Sequence, residues 1–275
     1  MAVDVKVEIV TITPAEALAM LEANTANRTV RQSRVGQYAR DMKNKQWKLN
    51  GDPIRFNGKG TLMDGQHRLL ACVMADTPFE TLVVTGVENA AHVTIDTGAA
   101  RTLGDELRYR GEKNVNSLSS GLNLVWNYDN DTVGKGGTLM SRTEGARLLQ
   151  KEPGIRDAVA AAAKVAKNQG IVESALIAAS HILQREHGIE TMLEFLDHLD
   201  AGVDYQSNDP CLVLRQYAIK AHSNRMFRPR REEWFAIIVK TMNAWLLGRP
   251  IKNLSWRRVG PKAEGFPQLL SKDDI

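Results

Sequence analysis

The chain contains little cysteine, few aromatic residues and no long apolar run. Only two of its 275 residues are cysteines, Cys72 and Cys211, and aromatic residues account for 6%. Neither cysteine belongs to a spacing typical of metal sites, so we interpret both as reduced structural thiols of a cytoplasmic protein. No apolar stretch approaches the ~20 residues of a membrane span, and the N-terminus lacks a signal-peptide pattern. These absences exclude a disulfide scaffold and predict a protein with no membrane partner.

Histidine is also sparse, and its pattern does not indicate a metal site. Three of the six histidines, His181, His187 and His198, fall on predicted helices beside acidic residues. They lack the His-Glu-x-x-His spacing that places two imidazoles on one helix face. We therefore interpret them as residues of polar helix faces.

The net charge is small but unevenly distributed. The chain carries +4 at pH 7, whereas residues 27–48 hold seven Arg/Lys against one acid and residues 206–275 hold thirteen against six. Separate basic regions are compatible with an anionic partner such as DNA, and the alternative is ordinary solvated helix faces. Salt bridges to the acidic stretch 173–204 are a further alternative for the second region. The arginines predicted to contact nucleic acid are Arg31, Arg34, Arg228, Arg230 and Arg231.

The most informative stretch runs from Leu62 to Cys72 and reads LMDGQHRLLAC. Two short strands joined by a turn are predicted over residues 52–63, because Asn and Gly residues in the middle tolerate positive φ. The apolar residues that follow the motif recur at helical spacing. The motif thus lies where a strand ends and a helix begins, with Asp64 predicted as the N-cap and Gly65 allowing a tight turn.

The start of that helix has the composition of an anion site. We expect the free N–H groups of its first turn to point into the same space as His67 and Arg68. Backbone donors, the positive end of the helix dipole, an imidazole and a guanidinium together suit phosphate. The alternative is a capped helix that carries a surface His–Arg pair.

The residues DGQHRL at 64–69 resemble the signature of the ParB/sulfiredoxin-like superfamily, in its phage-type DGQHR branch. The resemblance covers roughly the first third of the chain. It identifies Gly65 with the family glycine, Arg68 with the shared arginine, and His67 with the sulfiredoxin histidine or the first ParB arginine. It implies a nucleotide-binding α+β domain, a small mixed sheet with flanking helices, and this agrees with the elements predicted from the sequence.

Two departures from the family pattern limit what the resemblance implies. Gln66 stands in place of the sulfiredoxin cysteine and the ParB glutamate, which excludes sulfinic-acid repair and puts ParB-type CTP hydrolysis in doubt. Leu70 stands in place of the third ParB arginine, so both ATP and CTP remain as expected nucleotides. A neutral amide can orient water but cannot act as a general base near neutral pH. Any catalytic carboxylate must therefore come from elsewhere.

A second stretch offers one candidate for that carboxylate, and Asp64 of the motif is the other. A strand predicted over residues 92–95 runs into Asp96-Thr97-Gly98, and a helix is predicted to start at Thr102 or Gly104. Strand ends are where α/β proteins tend to place their sites. We expect Asp96 and Arg101 to line the nucleotide site, and the alternative is a turn aspartate with a surface arginine.

The sequence thus predicts two domains. Residues 1–110 form the ParB/sulfiredoxin-like nucleotide-binding domain, and residues 111–275 form an α-helical domain with a basic Trp/Arg-rich tail. The expected protein binds a nucleoside triphosphate with Mg²⁺, and transfers or hydrolyses phosphate in connection with DNA. A kinase acting on a modified base or nucleoside is a variant of this hypothesis. The alternative is a DNA-binding regulator or scaffold whose motif senses nucleotide or is structural, and either protein is compatible with an oligomer.

The roles assigned to individual residues follow from these hypotheses. The predicted catalytic residues are Asp64, Gln66 and Asp96, of which Asp64 and Asp96 are also the predicted Mg²⁺ ligands. The predicted nucleotide-binding residues are Gly65, His67, Arg68 and Arg101.

Overall fold

The computed structural model describes residues 5–25, 27, 29–95, 101–135, 139–202, 208–224, 226–261 and 263–275. Within these residues the chain forms eleven α-helices and one four-stranded mixed sheet, so the predicted α+β class is confirmed. The chain divides into two compact units: unit 1 consists of residues 1–101 and 136–144, and unit 2 consists of residues 102–135 and 145–275. The two-domain assignment with a boundary near residue 110 stays a prediction.

Unit 1 contains the sheet. Its strands are β1 (Lys6–Ile12), β2 (Ile54–Asn57), β3 (Leu62–Asp64) and β4 (Phe79–Val87), in the order β1-β4-β2-β3. Strand β4 is antiparallel to β1 and parallel to β2, and β2 is antiparallel to β3. The predicted turn between β2 and β3 is present, because Oδ1 of Asn57 accepts hydrogen bonds from the N–H groups of Lys59 (2.9 Å) and Thr61 (2.8 Å). Such side-chain acceptors stabilise tight turns.

Three helices build one hydrophobic core with this sheet: α1 (Pro14–Glu22), α2 (Gln32–Lys43) and α3 (Gln66–Ala75). Helix α1 begins with a capping box between Thr13 and Glu16 and has a proline at its first position, as these residue types favour. One face of α2 packs into this core, since Val35, Ala39 and Met42 are buried.

The strand predicted over residues 92–95 is wrong. Residues Asn89–Thr94 form a 3₁₀ helix directly after β4. The N–H of Ala91 donates to the carbonyl of Glu88 (3.0 Å), which closes a turn at once, and alanine has little preference for strands. Asp96, which follows this helix, lies outside the described residues.

Unit 2 is helical. Its helices are α4 (Leu103–Tyr109), α5 (Val115–Asp129), α6 (Arg142–Lys151, whose first residues belong to unit 1), α7 (Ile155–Gln169), α8 (Glu173–His187), α9 (Ile189–Ala201), α10 (Pro210–Ser223) and α11 (Arg231–Leu246). The predicted start of α4 is confirmed, because Thr102 and Asp105 form a capping box. Along the described part of the chain, no helix combines the length and apolar character needed to cross a membrane.

Helix α8 is the centre of unit 2 and contacts α5, α7, α9 and α11. Nine consecutive residues, 175–183, are buried, so this helix has almost no polar face. The prediction that His181 lies on a polar face is therefore wrong: its Nε2 is 2.7 Å from Oε2 of Glu152. In the tail, Trp256 is buried and its indole N–H donates to the carbonyl of Gly265 (3.0 Å). The aromatic tail thus packs within unit 2 at this residue.

Candidate functional site

The motif begins with a backbone conformation that only glycine adopts easily. Gly65 is the N-cap of α3 with φ of 109°, and a Cβ at this position would lie 2.4 Å from Cδ1 of Ile54. The prediction that Asp64 is the N-cap is wrong. Asp64 lies opposite Arg55 in the β2–β3 pair, so its carboxylate accepts from Arg55 (2.7 Å) and from Arg68 (3.0 Å) instead.

Arg68 is buried and bonded to the protein itself. Its Nη1 donates to the carbonyl of Asp52, and its Nη2 donates to the carbonyl of Pro53 (2.8 Å) and to Oδ2 of Asp64. Only 8% of the residue is exposed. A buried guanidinium needs such partners, because leaving it unpaired costs several kcal/mol. Arg68 therefore fixes the start of β2, and it does not form the surface pair that was the alternative interpretation.

Gln66 and His67 are also buried, and they hold the segment that leads into α2. Oε1 of Gln66 accepts from the side-chain amide of Asn24 (3.1 Å). Nε2 of His67 accepts from the backbone N–H of Arg31 (3.0 Å), the N-cap residue of α2. The motif thus fixes the N-terminal end of α2.

A cavity of about 280 Å³ lies in unit 1 at this end of α2. Its walls are α2, the segment 139–143 and Arg101. Basic and polar groups predominate in the lining, which includes Arg31, Ser33, Arg34, Gln37, Tyr38, Asp41, Arg101, Ser141, Arg142 and Thr143. The volume is close to the lower end of the range that small-molecule sites occupy, roughly 300–1,000 Å³.

The four arginines of this cavity lack ion pairs in the part of the chain that the structure describes. Among the described residues, Arg31, Arg34, Arg101 and Arg142 form no salt bridge, and Arg34 donates only to the hydroxyl of Tyr38 (3.4 Å). Asp41 is the one carboxylate in the described lining. Four guanidiniums facing one carboxylate leave an excess of positive charge, which favours an anion in the cavity.

The wall formed by segment 139–144 is attached firmly to α2. Arg40 forms a salt bridge with Glu144 (2.6 Å), the hydroxyl of Ser141 donates to Oδ1 of Asp41 (2.8 Å), and the amide of Gln37 donates to the carbonyl of Met140 (2.9 Å). A capping box also forms at the start of α6. The N–H of Glu144 donates to the hydroxyl of Ser141, and the N–H of Ser141 donates to the carboxylate of Glu144.

Burial raises the pKa of the Asp41 carboxyl, and the nearby charge of Glu144 adds to this effect. The hydrogen bond from Ser141 and the charges of Arg40 and Arg142 act in the opposite direction. Desolvation is the largest of these causes, because it disfavours the charged form. The only negative group of the described lining is therefore easier to neutralise than an ordinary aspartate.

The structure brings together residues to which the sequence assigned different roles. Arg31 and Arg34, predicted for nucleic acid, line the same cavity as Arg101, predicted for nucleotide. Asp41 and Arg142 were missed, although the capping box that starts at Ser141 marked the beginning of α6. The predicted site residues Asp64, Gly65, Gln66, His67 and Arg68 do not line this cavity.

The second predicted basic group lies in unit 2, at the start of α11. Arg228, Arg230 and Arg231 are exposed, and Arg230 is the N-cap residue of the helix. Among the described residues, Arg231 pairs with Glu232 (3.4 Å), and none of the three pairs with the acidic stretch 173–204. The salt-bridge alternative for these arginines is therefore wrong for the part of the chain that the structure describes.

Comparisons with protein-family models, with curated proteins and with solved structures found no match. The resemblance to the ParB/sulfiredoxin-like superfamily thus depends on the motif and its strand–turn–helix setting alone.

Proposed function

We propose that unit 1 binds the phosphate groups of a nucleotide in the cavity at the N-terminal end of α2, and that the DGQHRL motif holds this cavity in shape without contacting the ligand. The observation that carries the proposal is the convergence of four arginines that form no salt bridge with any described residue, Arg31, Arg34, Arg101 and Arg142. Guanidiniums bind phosphate through two parallel hydrogen bonds, which makes arginine suited to this ligand.

Hydroxyl groups and a helix end in the same cavity support phosphate over a carboxylate ligand. Ser33, Tyr38 and Thr143 add hydroxyl donors to the lining. Helix α2 starts at this place and has no side-chain cap at Arg31, so the positive end of its dipole faces any bound anion. A phosphate accepts hydrogen bonds on three oxygens and can use more of these donors than a carboxylate can.

The described donor set does not fit a Mg²⁺ ion held by the protein. Mg²⁺ prefers oxygen ligands and is usually bound through one or two carboxylates together with substrate phosphates. The described lining offers one carboxylate, Asp41, which already accepts from Ser141. Asp64, the predicted ligand, is paired with Arg55 and Arg68. The geometry therefore favours the second of our hypotheses, a nucleotide-sensing regulator, over an enzyme that consumes the nucleotide.

Calorimetry with a panel of phosphate compounds tests this function. The panel contains ATP, CTP, GTP and UTP, their mono- and diphosphates, and pyrophosphate, each with and without Mg²⁺. We expect the affinity to rise with the number of phosphate groups, because each adds acceptors for the arginines. Failure of every compound to bind would overturn the proposal. The same samples are assayed for released phosphate. Release of phosphate would favour the enzyme hypothesis, with Asp96 as a candidate catalytic residue.

We propose, second, that the exposed arginines of unit 2 contact DNA. Arg228, Arg230 and Arg231 are exposed at a helix start, which is a suitable position for phosphate contacts. Replacing all three by alanine should weaken non-specific binding to duplex DNA and reduce its salt dependence, by about one unit of log–log slope for each lost contact. A triple variant of exposed cations elsewhere in unit 2, Arg147, Lys151 and Lys164, is the matched control. Equal affinities of the two variants would contradict a specific role for this group.

A further inference from the structure

A second cluster of polar side chains lies in unit 2, where α9 ends and α10 begins. His198 is in the last turn of α9, Asp209 is the N-cap of α10, and Cys211 is in the first turn of α10. One ligand-type atom from each of the three lies within 4.8 Å of the other two. The donors are an imidazole nitrogen, a carboxylate oxygen and a sulfur, which are the three kinds of ligand that zinc takes in proteins.

The carboxylate of Asp209 is held in place by the backbone. Its Oδ1 accepts from the N–H groups of Cys211 (2.8 Å) and Leu212 (3.2 Å), which leaves Oδ2 directed at His198. Carboxylates that bind metals are commonly fixed in this way by a hydrogen bond to the oxygen that does not bind. The cap thus orients one ligand before any ion arrives.

The distance between the imidazole and the carboxylate fits a tetrahedral ion after a small adjustment. Nε2 of His198 and Oδ2 of Asp209 are 3.0 Å apart. Two ligands with bonds of about 2.0–2.1 Å at a tetrahedral angle are separated by about 3.3 Å. His198 is half-buried, so its ring can move by the few tenths of an ångström required.

We propose that His198, Asp209 and Cys211 bind one Zn²⁺ ion, with water as the fourth ligand. A thiolate with an imidazole selects zinc and other transition metals over Mg²⁺ and Ca²⁺. Binding releases the thiol proton to solvent, because the ligand is the thiolate. The ion connects the last turn of α9 to the first turn of α10. This site belongs to unit 2 and does not depend on the function proposed for unit 1.

A metal titration of the full-length chain, after removal of metals with a chelator, tests this proposal. Zn²⁺ is titrated against a chromophoric chelator, bound metal is counted by elemental analysis, and Co²⁺ serves as a spectroscopic probe. We expect one ion per chain and a charge-transfer band from thiolate to Co²⁺. The band should disappear in Cys211→Ser and persist in Cys72→Ser, which alters the other buried cysteine.

A histidine pair provides the second arm, which remains informative if Cys211→Ser fails to fold. His198→Ala should weaken Zn²⁺ binding at least tenfold, whereas His187→Ala should not, since Nε2 of His187 contacts the carbonyl of Leu270. Zn²⁺ should raise the melting temperature of the wild type and of His187→Ala, but not of His198→Ala. Failure of the wild type to compete with the chelator, or equal binding by all variants, would overturn the proposal and leave the cluster as a helix cap with a His–Asp hydrogen bond.

Discussion

Two groups of arginines in unit 1 differ in whether their guanidinium groups are bonded to acceptors of the protein. Arg55 and Arg68 donate to the carboxylate of Asp64, and Arg68 also donates to two backbone carbonyls. The arginines of the cavity form no salt bridge among the described residues. A guanidinium bonded to the protein stabilises the fold, while an unpaired one around a cavity remains available to a ligand. The comparison assigns a structural role to the first group, and it supports our proposal that the second group binds an anion.

The comparison also gives the motif a place in function. His67 contacts the backbone of Arg31, and Arg31 lines the cavity. Under our proposal, the motif therefore acts on the ligand through α2, as a set of positioning residues.

Arg68→Ala should lower the free energy of unfolding by about 3–5 kcal/mol, because it leaves Asp64 and two carbonyls near the start of β2 without their buried partner. Arg101→Ala, in an exposed residue of the cavity, should change it by less than about 0.5 kcal/mol. Urea unfolding of both variants measures the difference. If the two variants are equally stable, the structural role of Arg68 is contradicted.

Arg31→Ala and Arg142→Ala should each weaken nucleotide binding by about 1.5–3 kcal/mol, because each removes a charged donor to phosphate. Their stability should stay close to that of the wild type, since both residues are exposed. Lys43→Ala is the control: this cation lies on the same helix α2 but does not line the cavity. Calorimetry measures the nucleotide affinity of the three variants. An effect of Lys43→Ala equal to the others would indicate attraction by general charge only.

His67→Ala should lower the free energy of unfolding by about 1 kcal/mol, since the N–H of Arg31 loses its acceptor. Nucleotide affinity should fall as well, because the N-terminal end of α2 is no longer fixed. His67→Gln retains an acceptor and should restore part of the affinity. An affinity that falls equally in both variants would indicate that the imidazole contacts the ligand directly.

Asp41→Asn should change the free energy of unfolding less than the variants above do. Its main effect should be on the pH dependence of stability. Because the pKa of Asp41 is raised by burial, the folded state holds this proton more tightly than the unfolded chain does. Its contribution to stability is therefore present at low pH and is lost as the pH rises above 3.8 through the raised value. The unfolding free energy of the variant minus that of the wild type should therefore increase over that pH interval. A constant difference would contradict the raised pKa.

Local signals in the sequence determined much of the secondary structure. The capping boxes at Thr13, Thr102 and Ser141 mark helix starts, and the turn at Asn57 joins two strands. These features involve residues a few positions apart, so their physics is contained in short stretches of chain. The failure at residues 92–95 has the same origin, since a turn after β4 outweighs the preference of a few residues for strand.

Only the tertiary structure decided which charged residues have partners. Ser141 bonds to Asp41 across 100 positions and brings Arg142 to the cavity that Arg31 lines. Arg68 appears in the sequence as one more basic residue of a motif, yet burial and three acceptors make it part of the scaffold. Whether a charge is buried, paired or free depends on segments that packing brings together, because short-range patterns carry no information on contacts at such separations. The sequence alone therefore located helix starts and a turn, and the fold decided which arginines of unit 1 are bonded to the protein and which line the cavity.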